Sequence, residues 1–299
     1  DPWEALYRAR ASELLHEARI VDAIGTDAFV ARAAERFPVD PSPDGILADS
    51  AADAWVSLSP VNTGPRIVSD DAADPRSLVN QIGSLAGALR LPIRISGSPD
   101  MACAAATGDD LIVVRTGVSH SVHAARRIAL HEIYAHALPR ARAKEESIGL
   151  FSVGTAGASD DEEGRALLIE ERHALFDDAR RRELAVRHLA ARAVRDAANF
   201  IETVRHLGER GVPTREAVFV AARTYRGGGL AREVVYLPAL FRVRAAFTDD
   251  PALEGWCERG RVSVSAARAL RVIGPPAPTS MLAAPPEDTA AISSGLRGG

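Results

Sequence analysis

Three side chains with the types and spacing for zinc-assisted chemistry, His131, Glu132 and His136, lie in the block HEIYAH at the end of an apolar helical run. Two imidazoles supply the nitrogen ligands that zinc accepts, and a carboxylate beside them can take a proton from metal-activated water. The spacing is H-E-x-x-x-H, so on an α-helix the two histidines would point about 140° apart. A local π-bulge, at about 4.4 residues per turn, or a helix that unwinds near Pro139 would bring the imidazoles together. The block therefore predicts a zinc site if the helix departs from α geometry and a third ligand exists.

The third ligand is predicted in the downstream segment DDEEGRALLIEE, which opens a second amphipathic helix. Glu163 is directly followed by Gly164, as in zinc peptidases of the gluzincin kind, where a small residue lets two helices approach closely. Glu170 lies two turns along the same face and could bind the second nitrogen of a zinc-bound histidine. The acidic residues also suit the positive end of a helix without any metal. We take Glu163 as the third ligand and keep Glu162 as the alternative.

Three segments together resemble a known family. HEIYAH resembles the HEIGTH block, and EEGRALLIEE the EEGLA block, of the tyrosine carboxypeptidase or MATCAP-type metallopeptidases. TYRGGGLAREVVYLPALFRV resembles the family's RGG segment with its following Phe-Thr-Lys-Asp block and Tyr-Leu pair, so the match runs in the family's order over residues 91–247. The resemblance implies a gluzincin fold, one zinc held by His131, His136 and Glu163, and Glu132 as general base. It also implies removal of a C-terminal residue from a peptide or protein.

The chain departs from the family pattern beside the predicted metal ligands. Tyr134 and Ala135 replace a Gly and a Thr, Arg165 replaces a Leu, and residues 230–233 stand for Phe-Thr-Lys-Asp. These changes spare the metal ligands and the base but are expected to alter the lining of the pocket. We therefore predict a preference other than strict C-terminal tyrosine. Nothing in the sequence argues for tubulin tails, the substrate of the eukaryotic members.

Two arginines are predicted to bind the substrate. Arg226 and Arg232 flank a glycine triplet, residues 227–229, where the backbone can approach a ligand closely. A guanidinium group binds a carboxylate through two parallel hydrogen bonds, which an exopeptidase can use to recognise a free C terminus. Either arginine could equally cover a helix end on the surface. Tyr236 could donate to the developing oxyanion, and Tyr134 could shape the pocket.

The chain is long enough for a full hydrophobic core, since it has 299 residues of which 46% are hydrophobic. We predict an α+β class, a mostly helical gluzincin-type metallopeptidase core with a small β-sheet and a helical N-terminal extension. Residues 1–90 are assigned to a helical N-terminal subdomain, residues 91–273 to the zinc metallopeptidase catalytic domain, and residues 274–299 to a Pro/Ala-rich flexible tail.

Apolar periodicity, capping residues and the positions of Pro and Gly predict the individual elements. Helices are predicted over residues 2–24, 27–37 (capped by Asp27), 75–90 (begun by Asp74 and Pro75), 119–138, 160–207, 213–227 and 231–247, strands over residues 91–97 and 111–115, and a Pro-rich connection over residues 38–50. An exposed strand edge beside the cleft would let an extended peptide add as a further strand.

Charge and composition narrow the class of partner. The net charge of −4 gives no general attraction to nucleic acid or to an anionic membrane. Cys103 and Cys257 lack C-x-x-C spacing, which argues against a disulfide framework or a thiolate zinc site. No run of about 18 apolar residues is present, and the amino end is charged where a signal peptide would be apolar. We predict a cytoplasmic protein without nucleic-acid or membrane partners, although the missing initiator Met is compatible with a removed leader.

Several other charged residues are predicted to lie away from the site. Residues 180–182 are three consecutive arginines, which usually form a solvated face. His188 occurs in a polar helical context and is predicted on the surface, whereas His173 could approach the site from the helix that carries Glu163.

Our interpretation is a zinc carboxypeptidase in which Glu132 activates water and an arginine holds the end of the substrate. The first alternative is a zinc endopeptidase or amidohydrolase with the same metal site, which would hydrolyse amidated and free-ended peptides alike. The second is a non-catalytic helical binding protein with a structural zinc, which would hydrolyse neither.

Overall fold

Helices dominate the computed structural model, which describes residues 1–59 and 64–273. This confirms the mostly helical α+β class with a small sheet. The predicted flexible tail, residues 274–299, lies outside the described residues. Within the described part of the chain, none of the helices combines the length and apolar content needed to cross a membrane.

The elements follow one another as helices interrupted by short strands. The helices are α1 Pro2–Asp22, α2 Phe29–Arg36, α3 Pro43–Trp55, α4 Leu78–Ala88, α5 Val122–Leu130, α6 Leu138–Ala143, α7 Leu150–Val153, α8 Ala158–Arg172, α9 Asp178–Arg195, α10 Phe200–Glu209, α11 Thr214–Thr224, α12 Tyr236–Asp249, α13 Ala252–Glu258 and α14 Val264–Ile273. A π-helix, His131–Ala137, joins α5 to α6, and 3₁₀ turns span Arg226–Gly228 and Arg232–Val235. The strands are β1 Arg66–Val68, β2 Arg94–Ser98, β3 Ala105–Thr107, β4 Leu111–Arg115 and β5 Ser119–Ser121.

The predicted Pro-rich connection over residues 38–50 is wrong, because most of it belongs to α3. Ser42 caps this helix by accepting a hydrogen bond from the backbone N–H of Gly45, and Pro43 occupies the first turn, where a missing N–H is harmless. Asp49 of α3 accepts hydrogen bonds from His188 and Arg192 of α9. His188 is only 2% exposed, so its predicted surface position is also wrong.

Two other helices begin later than the sequence predicts. α2 starts at Phe29 with Ala28 at the N-cap position, so Asp27 is not its cap. α4 starts at Leu78 and is capped by Ser77, whose hydroxyl accepts from the backbone N–H of Asn80. Strand β4, by contrast, has the predicted bounds.

Three strands form a mixed sheet beside the helix that carries the HEIYAH block. β4 is central, with β2 parallel on one side and β3 antiparallel on the other. β3 therefore has a free edge among the described strands, as predicted for one strand beside the cleft. β1 and β5 form a separate antiparallel pair.

The largest apolar cluster unites helices from both ends of the chain. Ala48 and Ala52 of α3 lie in it with Leu167 of α8, Leu189 of α9 and Leu237 of α12. A second cluster packs α4, the three-stranded sheet, α5 and the π-helix together. α3, which we assigned to the N-terminal subdomain, thus shares its core with the predicted catalytic domain.

Gly164 allows α8 to lie directly against α12. A Cβ atom at this position would be 2.4 Å from the backbone oxygen of Ala239. The close approach that the sequence predicts therefore exists, but it is made to α12. Glu163 precedes this contact, so the packing of α8 on α12 also fixes the place of that carboxylate.

Replacing Gly164 with Ala should destabilise the fold, because a backbone oxygen cannot move aside as a flexible side chain can. We expect a loss of about 1–3 kcal/mol, seen as a fall in Tm of about 2–10 °C. Gly87→Ala is the control, since Gly87 is also helical but has nothing within 4 Å of the added Cβ. That change should leave Tm unchanged or raise it. Equal Tm values for the two variants would contradict the packing argument.

Candidate metal centre

The HEIYAH block adopts π-helical geometry inside a longer helix. The backbone N–H of Leu138 donates to the carbonyl of Ile133, five residues back, and the ring centroids of His131 and His136 lie 5.2 Å apart. The predicted π-bulge is thus confirmed. The predicted helix end at Leu138 is wrong, because α6 continues through Pro139. Proline is tolerated here because it follows the wide turn, where the regular α hydrogen-bond ladder is already interrupted.

Three side chains converge beside this turn. His131, His136 and Glu163 each offer a ligand atom, and these atoms all lie within 4.8 Å of one another. Nε2 of His131 is 3.6 Å from Oε2 of Glu163. Two imidazoles and one carboxylate leave a fourth position open, which is the donor set of a catalytic zinc site. The described residues therefore fit the metal that the sequence predicts.

Each histidine has its other nitrogen turned toward an outer carboxylate. Nδ1 of His131 lies 2.8 Å from Oε1 of Glu170, and Nδ1 of His136 lies 3.5 Å from Oε2 of Glu162. A carboxylate in this place orients the imidazole and leaves Nε2 for a metal. Glu170 thus lies where the sequence predicts. Glu162, the alternative ligand, contacts the outer side of His136 and is not part of the converging group.

Arg180 forms a two-pronged ion pair with Glu170. Nε and Nη2 of Arg180 lie 2.9 and 3.0 Å from the two oxygens of this fully buried carboxylate. The predicted solvated face over residues 180–182 is therefore wrong for Arg180, which is only 6% exposed. An unpaired charge at the position of Glu170 would be very costly, so the arginine is buried with it. Periodicity could not reveal this pair, because ten residues and a turn separate its members.

The surrounding charges keep the carboxylates ionised. Burial alone would raise the pKa of Glu170, but Arg180, Arg127 and His131 outweigh it and bring the pKa to about 2. The pKa of Glu163 is also lowered against the effect of burial, by His131, His136 and Arg232.

The pKa of His131 shifts in the opposite direction. Burial would lower the pKa of His131, whereas its hydrogen bonds with Glu163 and Glu170 raise it to about 9. Without a metal ion, both ring nitrogens of His131 therefore carry a proton at neutral pH. A metal ligand must be neutral imidazole, so metal binding at Nε2 would release that proton.

Glu132 is oriented by the edge strand. Oγ1 of Thr107, at the end of β3, donates a 2.7 Å hydrogen bond to Oε2 of Glu132. The other carboxylate oxygen of Glu132, Oε1, does not take part in this hydrogen bond. Thr107 was not predicted as a site residue, because it lies in a turn-rich segment with no periodic signal.

The candidate site opens into a cavity of about 520 Å³. Of the described residues, nine arginines and four glutamates line it, so its walls carry excess positive charge. Arg226, Arg232 and Tyr236 are among the lining residues, as predicted. Burial and the Glu163 carboxylate raise the pKa of the Tyr236 phenol, which therefore keeps its proton and can donate a hydrogen bond.

Tyr134 does not reach the cavity. Its ring lies in the apolar cluster beneath the π-helix and stacks on His173, with centroids 6.2 Å apart. Ala135 is fully buried, and Arg165 donates to the carbonyl of Cys257. The structure thus corrects the prediction for Tyr134, because Tyr134, Ala135 and Arg165 all lie outside the cavity lining. Of the substitutions expected to alter the pocket, only the segment 230–233 contributes a lining residue, Arg232. His173 is likewise not among the residues that line the cavity.

The two predicted arginines have different partners. Nη2 of Arg232 lies 3.0 Å from Oε1 of Glu163, so Arg232 contacts the candidate metal ligand itself. Arg226 instead shares the buried carboxylate of Glu233 with Arg223. Arg223 and Glu233 were both missed, because neither position stands out in the sequence from other charged residues of these helices.

Comparison with known proteins identifies a family and a similar fold. The family model described as microtubule-associated tyrosine carboxypeptidase matches residues 1–254. No curated protein sequence matches significantly. A crystal structure described as that of a candidate lipoprotein from Colwellia psychrerythraea is similar, with a TM-score of 0.51 and 12% identity, over 91% of this chain and 52% of that one. The chain thus spans about half the length of that protein, and the similarity concerns the fold alone.

Substitution of the two adjacent glutamates should separate ligand from supporting residue. Glu163→Ala and His131→Ala should abolish zinc binding, because each removes one of three donors. Glu162→Ala should still bind one zinc per chain, with affinity weakened about 10–100-fold by the loss of the outer partner of His136. Elemental analysis after dialysis, followed by competition titration with a chelator, measures both effects. Zinc retained by Glu163→Ala but lost by Glu162→Ala would assign the ligand role to Glu162.

Proposed function

From the premise that the chain belongs to the microtubule-associated tyrosine carboxypeptidase family, we propose that it is a zinc-dependent metallopeptidase that removes a C-terminal residue from a peptide or protein. The observation that carries this proposal is the convergence of His131, His136 and Glu163 beside Glu132 in the wall of one cavity. A structural zinc would need a fourth protein ligand, and among the described residues the group offers three.

Each of four residues of the site has a separate role in the proposed peptide hydrolysis. Zinc, when bound, would polarise the scissile carbonyl and acidify a water molecule. Glu132 accepts the proton of the attacking water and passes it to the departing amine, while Thr107 keeps the carboxylate in place. The protonated Tyr236 donates to the negative charge that develops on the carbonyl oxygen. Arg232 holds Glu163 in its ligating position.

The shape and charge of the cavity favour an extended peptide with a free end. β3 contributes to the cavity wall, and its edge away from β4 offers main-chain hydrogen bonds to an added strand. The excess of arginine favours an anionic group, which a terminal carboxylate supplies. Because Tyr134, Ala135 and Arg165 lie outside the cavity lining, tyrosine, the residue named by the family, is the first C-terminal residue to test.

Glu132→Gln should retain zinc and fold but lose turnover, because the amide keeps the shape of the side chain and removes its basic oxygen. We expect kcat to fall by about 10²–10⁴-fold, with zinc content and Tm unchanged. Glu145→Gln is the control, since Glu145 is exposed and outside the cavity lining. Near-normal hydrolysis by Glu132→Gln would remove this residue from the mechanism.

Peptides that differ only in a free or amidated C terminus test the carboxypeptidase assignment. We expect amidation to lower kcat/KM by roughly tenfold or more, since a charge-assisted hydrogen bond contributes about 1.5–3 kcal/mol. The panel should also vary the last residue, with tyrosine included, and mass spectrometry should identify the bond cleaved. Equal cleavage of free and amidated peptides, or cleavage at internal bonds, would instead indicate a zinc endopeptidase or amidohydrolase.

A further inference from the structure

Two arginines in the cavity wall are anchored by a single buried carboxylate. Nε of Arg223 lies 2.8 Å, and Nη2 of Arg226 3.3 Å, from the same oxygen of Glu233. The Glu233 side chain is 1% exposed, whereas that of Arg226 is 44% exposed. One negative charge cannot neutralise two positive ones, so the group presents a net positive charge to the cavity.

From this arrangement we propose that Arg223 and Arg226 together bind the terminal carboxylate of the substrate and that Glu233 positions both guanidinium groups. This inference rests on the proposed function and names the part of the site that would make it an exopeptidase. It differs from the pair predicted from sequence, because Arg232 donates to Glu163 and is replaced here by Arg223.

The backbone around the group is folded back tightly. Gly227, Gly228 and Gly229 all have positive φ, and Ala231 adopts a left-handed conformation with φ of 47°. A Cβ atom at Gly227 would lie 2.5 Å from the ring of Phe29, so no larger residue fits without rearrangement. Glycine adopts positive φ without a steric cost, whereas the left-handed conformation of Ala231 is unfavourable and persists where the surrounding structure fixes it. The folded-back loop therefore brings Glu233 to Arg223 in the last turn of α11.

Each arginine of the pair keeps at least one terminal nitrogen that is not used in its hydrogen bonds within the described residues. Arg223 uses Nε to bind Glu233, and in the part of the chain that the structure describes its terminal nitrogens have no acceptor. Arg226 uses Nε for the carbonyl of Arg223 and Nη2 for Glu233. Terminal nitrogens from two guanidinium groups thus remain for the two oxygens of a carboxylate.

The same 3₁₀ turn ties this pair to the candidate metal ligands. Arg232 bonds to Glu163, and its neighbour Glu233 bonds to the arginine pair. Because Arg232 and Glu233 are adjacent in this turn, one short backbone segment supports both contacts. A terminal carboxylate lies one residue beyond the scissile carbonyl, so an anion site tied to a candidate metal ligand through this turn suits removal of a single residue.

Steady-state kinetics of the zinc-loaded full chain with matched free and amidated peptides tests the proposal. Glu233→Gln should raise KM for the free-ended peptide by roughly tenfold or more with kcat within about twofold, because the two guanidinium groups repel one another once the carboxylate is gone. The amidated peptide should be unaffected. Arg223→Ala and Arg226→Ala should each have the same selective effect, and their double variant less than the product of the two.

Arg182 and Glu216 supply matched controls, since they form a two-pronged ion pair outside the cavity lining. Arg182→Ala and Glu216→Gln should leave the ratio of free to amidated kcat/KM unchanged. A ratio that is also unchanged in Arg223→Ala would overturn the proposed clamp. A lower KM in Glu233→Gln would refute the positioning role, because it is the result expected if that carboxylate only weakens the attraction of the arginines for an anion.

Binding of N-acetyltyrosine and N-acetyltyrosinamide, measured by calorimetry, separates this inference from the proposed function. If the parent protein hydrolyses no peptide, the carboxypeptidase proposal fails, yet selective binding of the free acid that is lost in Arg223→Ala would still support the carboxylate site. If the parent hydrolyses free-ended peptides but Arg223→Ala binds N-acetyltyrosine as tightly as the parent, the clamp is wrong and the hydrolase assignment stands.

Discussion

The five-residue spacing of His131 and His136 is the constraint on which the site depends. On an α-helix the two imidazoles would diverge, so a shared metal requires a wider turn, and the π-helix provides it. Such turns are rare because they disturb the hydrogen-bond ladder. Here the turn packs against α8 and the three-stranded sheet. Of its six buried residues, Ile133, Tyr134 and Ala137 belong to the second apolar cluster and His136 to the candidate metal group. The chain thus stabilises an unfavourable local geometry through tertiary packing.

The site also buries several charged side chains. Glu162, Glu163 and Glu170 all lie inside the protein, and each is matched by at least one arginine. Guanidinium is suited to this purpose because its planar fork contacts both carboxylate oxygens and stays charged. The arginines that stand out in the sequence are therefore in large part structural partners of buried acids. Their remaining donors give the cavity its positive character.

The sequence was sufficient to predict which side chains converge and insufficient to predict what supports them. His131, His136 and Glu163 could be predicted because chemistry dictates residue types and local spacing dictates whether they can meet. The π geometry followed from the same reasoning, since α geometry would have kept the histidines apart. Arg180 and Thr107 could not be predicted, because each meets its partner only through packing of elements that are distant in sequence. α3 was missed for another reason: its prolines are typical of a connection, yet Pro43 occupies the one helical turn that accepts it.

The departures from the family pattern acquire a different meaning once the cavity is known. Tyr134 and Arg165 lie outside its lining and contribute instead to the packing of the helices. Residues 230–233 replace Phe-Thr-Lys-Asp with Leu-Ala-Arg-Glu, and this exchange keeps a basic residue followed by an acidic one. In the structure the basic residue contacts Glu163 and the acidic residue contacts the arginine pair. The basic and acidic residues of this turn therefore link Glu163, a candidate metal ligand, to the arginine pair that we propose as the binding site for the substrate's end.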